Sequence, residues 1–175
     1  MIYTIHGPFD IPINKKNGLV DRHNKTLKEF WVCVDRNEES ISSSCGCYLF
    51  AIRAAKGFKP WYVGRTGKQS FQRECFAAQK INIYNDVLAN RKGTPVLFLL
   101  SKRTIKGKFV KPSRKQPHDI SYLETLMIGS AIEKNPELMN IKKTKYLRSI
   151  SVPGLINTPK RKPTISEQQF KKAIT

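Results

Sequence analysis

With 175 residues, 39% of them hydrophobic, the chain can bury one substantial core, which excludes a purely disordered protein. A formal charge of +19 and a pI near 10.0 favour a polyanionic partner over an acidic one. Apolar runs such as residues 96–100 are far too short to cross a bilayer, and no charged leader with a cleavage site is read at the start. The expectation is therefore a soluble, cytoplasmic protein.

Residues 1–44 are charge-balanced, with short segments broken at Gly7, Pro8 and Pro12, a polar stretch over 14–28 and an apolar run over 30–34. That run reads as a strand, and the segment as an N-terminal β-rich arm. Two runs rich in aromatic and aliphatic residues follow, 46–53 and 61–65, which predict an antiparallel hairpin with a loop over 54–60. Cys45 and Cys47, two apart, fall on one face of the first strand. With Cys33 and Cys75 they are expected as free thiols, because His6, His23 and His118 offer no zinc-ligand spacing.

Ser70 opens a helix with Phe71, Cys75 and Ala78 on one face, and a second helical segment covers 82–90 until Gly93 and Pro95 stop it. Residues 95–100 are a short apolar run bounded by turn residues, the mark of a buried central strand. Residues 101–117 hold seven basic residues and no acid, and are expected as a basic insertion facing solvent or nucleic acid. Helical spacing returns at Ile120, with Ile120, Leu123, Met127 and Ala131 on one face until Asn135-Pro136. The remainder, 142–175, is a basic extension with Pro153, Pro159 and Pro163, the cluster Lys160-Arg161-Lys162, and a capping-box pattern at Ser166 and Gln169. The fold class expected is α+β: a small central mixed or antiparallel sheet flanked by helices.

Glu124 is the most informative residue. Ile120, Glu124, Ile128 and Ile132 are four apart and share one helix stripe, so a carboxylate sits among isoleucines. Such a charge costs several kcal/mol, on the order of an unpaired buried ion, without a metal or cation to compensate it. A salt bridge to Arg65 or Arg73 is one reading and a metal ligand the other. Tyr48 and Tyr62 are ordinary strand aromatics or functional hydroxyls. Gly64, directly after Tyr62-Val63, lets the backbone turn or approach a phosphate.

The order of these pieces resembles the GIY-YIG nuclease family over residues 45–141. Gly46-Cys47-Tyr48 stands for Gly-Ile-Tyr, Tyr62-Val63-Gly64 for Tyr-Ile-Gly, Leu123-Glu124 opens the glutamate helix, and Asn140 lies downstream. The resemblance implies metal-dependent hydrolysis of nucleic-acid phosphodiesters with one divalent ion, Mg²⁺ or Mn²⁺. It makes Glu124 the metal ligand, Tyr48 the group that activates water, helped by nearby positive charge, and Tyr62 a positioning hydroxyl. The family's helix arginine, three residues after an aromatic, falls on Glu74 when counted from Phe71, which leaves Arg65 or Arg73 for that role. Contacts to nucleic acid, double-stranded DNA in the first instance, are expected from Lys68, Lys102, Arg103, Lys106, Lys108, Arg114, Lys115, Asn140, Lys160, Arg161 and Lys162. Two other readings stay open: a nuclease-derived binding module without turnover, and an unrelated basic RNA-binding protein.

Overall fold

The hairpin forms as the two apolar runs predict, but its strands run nearly to the tip. The computed structural model describes residues 1–55, 57–114, 117–142, 144–153, 158 and 160–174. Strand β2 spans Gly46–Ala54 and β3 spans Gly57–Arg65, which leaves residues 55–56 between them rather than a loop over 54–60. Pro60 is tolerated inside β3 because the register shifts between Phe50 and Ala51, opposite it, and because β3 is an edge strand. Strand β1 (Ile2–Asp10) and β4 (Thr94–Arg103) complete a fully antiparallel sheet in the order β1-β4-β2-β3. The expected α+β fold with a central apolar strand is present, β4 lying between β1 and β2.

The N-terminal reading is corrected twice. Residues 2–10 are the other edge of the same sheet, not part of an appended arm. Residues 24–37 form helix α1 (Asn24–Asn37), and the run taken for a strand lies inside it. Five consecutive apolar residues hid the helical period: Phe30, Trp31 and Val34 face the core, while Val32 and Cys33 point to solvent.

Each sheet face has its own helices. Tyr48, Phe50 and Ile52 of β2 pack with α1, with α2 (Phe71–Glu74) and with α3 (Ala78–Asn90) through Phe30, Phe71, Ile81 and Tyr84. The opposite face, with Cys45, Cys47, Leu49 and Val63, is covered by α4 (His118–Lys134) through Ile120, Ile128 and Ile132. Cys45 and Cys47 thus share a face, and all four cysteines are free thiols. Helix α3 begins four residues earlier than expected and carries Lys80 in its first turn.

The basic segment is less of a free loop than expected. β4 extends to Arg103, and Val110 returns to the sheet, donating its N–H to Lys102 and accepting from Cys45. Helix α5 (Thr144–Ser149) packs beside α4, and α6 (Ile165–Ile174) is the last element described. The capping box of α6 is formed by Thr164 and Glu167, not Ser166 and Gln169. The Thr164 N–H donates to the Glu167 carboxylate, and the Glu167 N–H to the Thr164 hydroxyl.

Candidate functional site

Because β3 is an edge strand, side chains from both of its faces reach one cleft along its rim. A cavity of about 600 Å³ lies there, between the α2–α3 region and α4 with residues 139–142. Tyr62 enters from one face and Arg65 from the other, and Lys68, Glu74, Lys80, Glu124 and Lys142 complete its charged lining. Four-residue spacing put Glu124 in an apolar stripe, and Ile120, Ile128 and Ile132 are indeed buried. The carboxylate sits where that stripe meets the cavity, its side chain 13% exposed. It pairs with Arg65, Nε to Oε2 at 3.0 Å. The salt-bridge reading therefore holds with Arg65. Arg73 is exposed on α2 and does not line the cavity, which corrects its assignment to the site.

Lys80 is the residue that sequence reasoning missed. Its ammonium donates to the Tyr62 hydroxyl at 2.8 Å, lies 5.0 Å from the centre of that ring, and faces Glu74 at 3.6 Å. Partial burial works against its charge, but the Tyr62 hydrogen bond and the Glu74 carboxylate outweigh it and raise its pKa. With its oxygen accepting from Lys80, Tyr62 has its own O–H to offer to another partner. The signal for Lys80 was the one used for Glu124, a charge on an apolar stripe, here with Tyr84 and Val87 at i+4 and i+7. Starting the helix at residue 82 concealed it. Glu74, at the position counted for an arginine, is thereby compensated from the next helix.

Tyr48 does not reach the cavity. Its side chain is completely buried, its ring centre 6.2 Å from that of Tyr62, and its hydroxyl makes no hydrogen bond among the described residues. The hydroxyl of Tyr84 is in the same condition. Burial, then the neighbouring Tyr84 and Cys75, push the Tyr48 pKa well above its ordinary value. The expectation that basic surroundings would ready Tyr48 to activate water is therefore corrected: among the described residues, the groups that act on its hydroxyl raise its pKa further rather than offset desolvation.

The motif glycines serve this packing. Gly64 lies directly opposite Tyr48, and a Cβ there would stand 2.1 Å from the Tyr48 ring. A Cβ on Gly46 would meet the Leu100 carbonyl oxygen at 1.9 Å. Asn140 is also corrected as a nucleic-acid contact. Its amide accepts from the Val63 N–H at 2.9 Å and donates to the Val63 carbonyl at 2.7 Å, closing the free edge of β3 beside Tyr62.

The expected basic contacts divide by environment. Lys68 is exposed at the cavity rim, and Lys106, Lys108, Arg114, Lys160 and Lys162 are exposed elsewhere. Lys102 instead pairs with Asp119 at 2.7 Å, Arg103 with Glu38, and Arg161 with Glu167, so these charges are engaged within the chain. Lys115 lies outside the described residues.

Among the described residues no three His, Cys, Asp or Glu side chains gather into a metal cage. Magnesium, however, is commonly held by one or two carboxylates and completed by water and substrate phosphate. The hard oxygen donor Glu124, facing an open cavity, fits an ion bound in that way. Among the described residues no helix is long and apolar enough to cross a membrane. Comparison with protein-family models, curated proteins and solved structures finds no match for this chain.

Proposed function

We propose that this chain is a GIY-YIG-like endonuclease that hydrolyses nucleic-acid phosphodiesters with the help of one divalent cation. The observation that carries the reading is the meeting of Tyr62, Arg65, Lys80 and Glu124 around one open cavity. A phosphodiester needs its oxygens neutralised, a water oriented for attack and a leaving oxygen stabilised. Arg65, Lys80 and Lys68 supply positive charge to the phosphate, the first as a planar fork and the lysines as point charges. Tyr62, its oxygen held by Lys80, directs its hydroxyl to the phosphate or the attacking water. This is the positioning role that the resemblance implies for Tyr62. Glu124 holds the Mg²⁺ or Mn²⁺, which when bound withdraws charge from the phosphate and the leaving oxygen. The exposed lysines and Arg114 add sequence-independent affinity for the backbone.

Glu124→Gln tests this, since it keeps the volume and removes the charge. Mg²⁺-dependent plasmid nicking should fall by orders of magnitude, while filter binding of DNA persists. Losing one partner of a partly exposed ion pair should cost about 1–3 kcal/mol of stability, between the values for exposed and buried pairs. A wild type that nicks neither DNA nor RNA with Mg²⁺ or Mn²⁺ would overturn the reading. The sealed Tyr48 and the glutamate at position 74 favour a second reading, a nuclease-derived binding module. It predicts salt-sensitive binding with no turnover.

A further inference from the structure

Residues 104–114 return from β4 and end at the cavity rim. Val110 is held to Lys102 and Cys45, and further along the Ser113 N–H donates to the Gly67 carbonyl at 2.9 Å. Gly67 and Lys68 line the cavity, so the exposed Lys111 and Arg114 form one basic bank with Lys68 at that rim. A second bank begins at Lys142, also exposed and lining the cavity, and continues to Lys145 in the first turn of α5. Neither 101–117 nor 141–149 contains an acidic residue. Among the described residues none of these five cations is paired with a carboxylate, unlike Lys102, Arg103 and Arg161. Helix α4 places the banks on either side of Glu124. The chain passes from Arg114 to the start of α4 at His118, Glu124 faces the cavity further along, and Leu147 of α5 lies against Gly129 beyond it. From His118 to Gly129 the helix rises about 16 Å. That is the rise of roughly five phosphates of one DNA strand, far beyond the reach of a single phosphate ion.

We propose that the two banks grip one nucleic-acid backbone on either side of the cavity, so that the phosphate inside it has neighbours held on both flanks. The cavity is then addressed to an internal phosphodiester and not to a chain end. That this phosphodiester is hydrolysed rests on the nuclease reading; the grip itself rests on the charge and placement of the banks. Lys15 and Lys16 provide the contrast. They are exposed in the turn over 14–18, whose neighbour Val20 donates its N–H to Asn85 on the side of α3 away from the cavity, which Gln79, Lys80 and Ile83 line. A helix is roughly 10 Å across, about one Debye length in 0.1 M salt, so these two charges act on a phosphate at the cavity far less than a contact does.

The test is binding of a fluorescein-labelled DNA duplex to the full chain, followed by anisotropy over a series of salt concentrations, in EDTA so that no cleavage intervenes. The slope of log affinity against log salt counts phosphate contacts, and each contact removed lowers it by about 0.9. Lys111→Gln/Arg114→Gln and Lys142→Gln/Lys145→Gln should each lower the slope by about 1.8, and the two pairs combined by about 3.6, at one duplex per chain. Lys15→Gln/Lys16→Gln, with the same loss of charge, should leave the slope unchanged. Circular dichroism confirms the fold of each variant. Equal losses from all three pairs would show attraction by net charge alone and overturn the grip. A wild type that binds two duplexes, one lost with each bank, would show separate sites and overturn it equally, as would a wild type that binds no DNA. Because no metal is present, the predicted slopes in a protein that never nicks DNA would leave the grip standing and remove only the nuclease reading.

Discussion

Gly64→Ala separates a packing role for the second motif's glycine from a phosphate-approach role. The new Cβ would sit 2.1 Å from Tyr48 Cζ and 2.3 Å from its hydroxyl oxygen, far inside the roughly 3.5–4.0 Å of ordinary contact. The neighbour is not the free end of a flexible chain. The Tyr48 ring is fully buried, faces Gly64 across the β2–β3 ladder, and has Tyr62 close beside it. Overpacking of this kind costs typically 1–3 kcal/mol, and so deep a clash belongs at the upper end, about 3 kcal/mol. For a chain of this size that corresponds to a fall of roughly 6–12 °C in Tm. Urea unfolding followed by circular dichroism gives the free energy. Tyr48→Leu should relieve the clash, so Gly64→Ala in that background should cost less than about 1 kcal/mol, a coupling of about 2 kcal/mol. A neutral Gly64→Ala, or equal costs in both backgrounds, would refute the packing argument. Weakened nucleic-acid binding at unchanged stability would support the phosphate role instead.

Three further outcomes are expected. Tyr48 and Tyr84 have folded pKa values raised chiefly by burial, so above pH ~10 the unfolded state releases protons that the native state keeps. Stability should be unaffected below that pH and then fall by about 1.4 kcal/mol per pH unit for each tyrosine; a wild type that forms two more phenolates at 295 nm than the Tyr48→Phe/Tyr84→Phe double variant, while circular dichroism stays native, would contradict this. Tyr84→Phe removes a buried hydroxyl that makes no hydrogen bond among the described residues, and should be neutral or stabilising by up to about 1–2 kcal/mol in the same urea assay. Asn140→Ala strands the Val63 N–H and carbonyl and should cost about 2–4 kcal/mol, with faster hydrogen exchange at the Val63 amide; unchanged exchange would show that Asn140 does not close the edge.

The pieces legible in the sequence were those with local causes. Two runs rich in aromatic and aliphatic residues marked the β2–β3 hairpin, bounded apolar residues marked β4, and four-residue spacing marked α4 with Glu124 in its stripe. The same spacing limited the partners of Glu124 to a nearby cation, because a carboxylate among isoleucines cannot stand alone. Tertiary structure decided what local pattern leaves open. Both tyrosines look alike in a strand, but β2 is interior and β3 an edge, so Tyr48 is sealed while Tyr62 meets solvent. Arg65 rather than Arg73 reaches Glu124 because β3 turns Arg65 toward α4, whereas Arg73 faces outward on α2. Lys80 joins Tyr62 only through the docking of α3, across eighteen residues of chain. Lys102, Arg103 and Arg161 read as free basic charge until folding brought Asp119, Glu38 and Glu167 beside them. Charge and periodicity are properties of the chain, but exposure and pairing depend on which elements meet, and that is a matter of packing between distant segments.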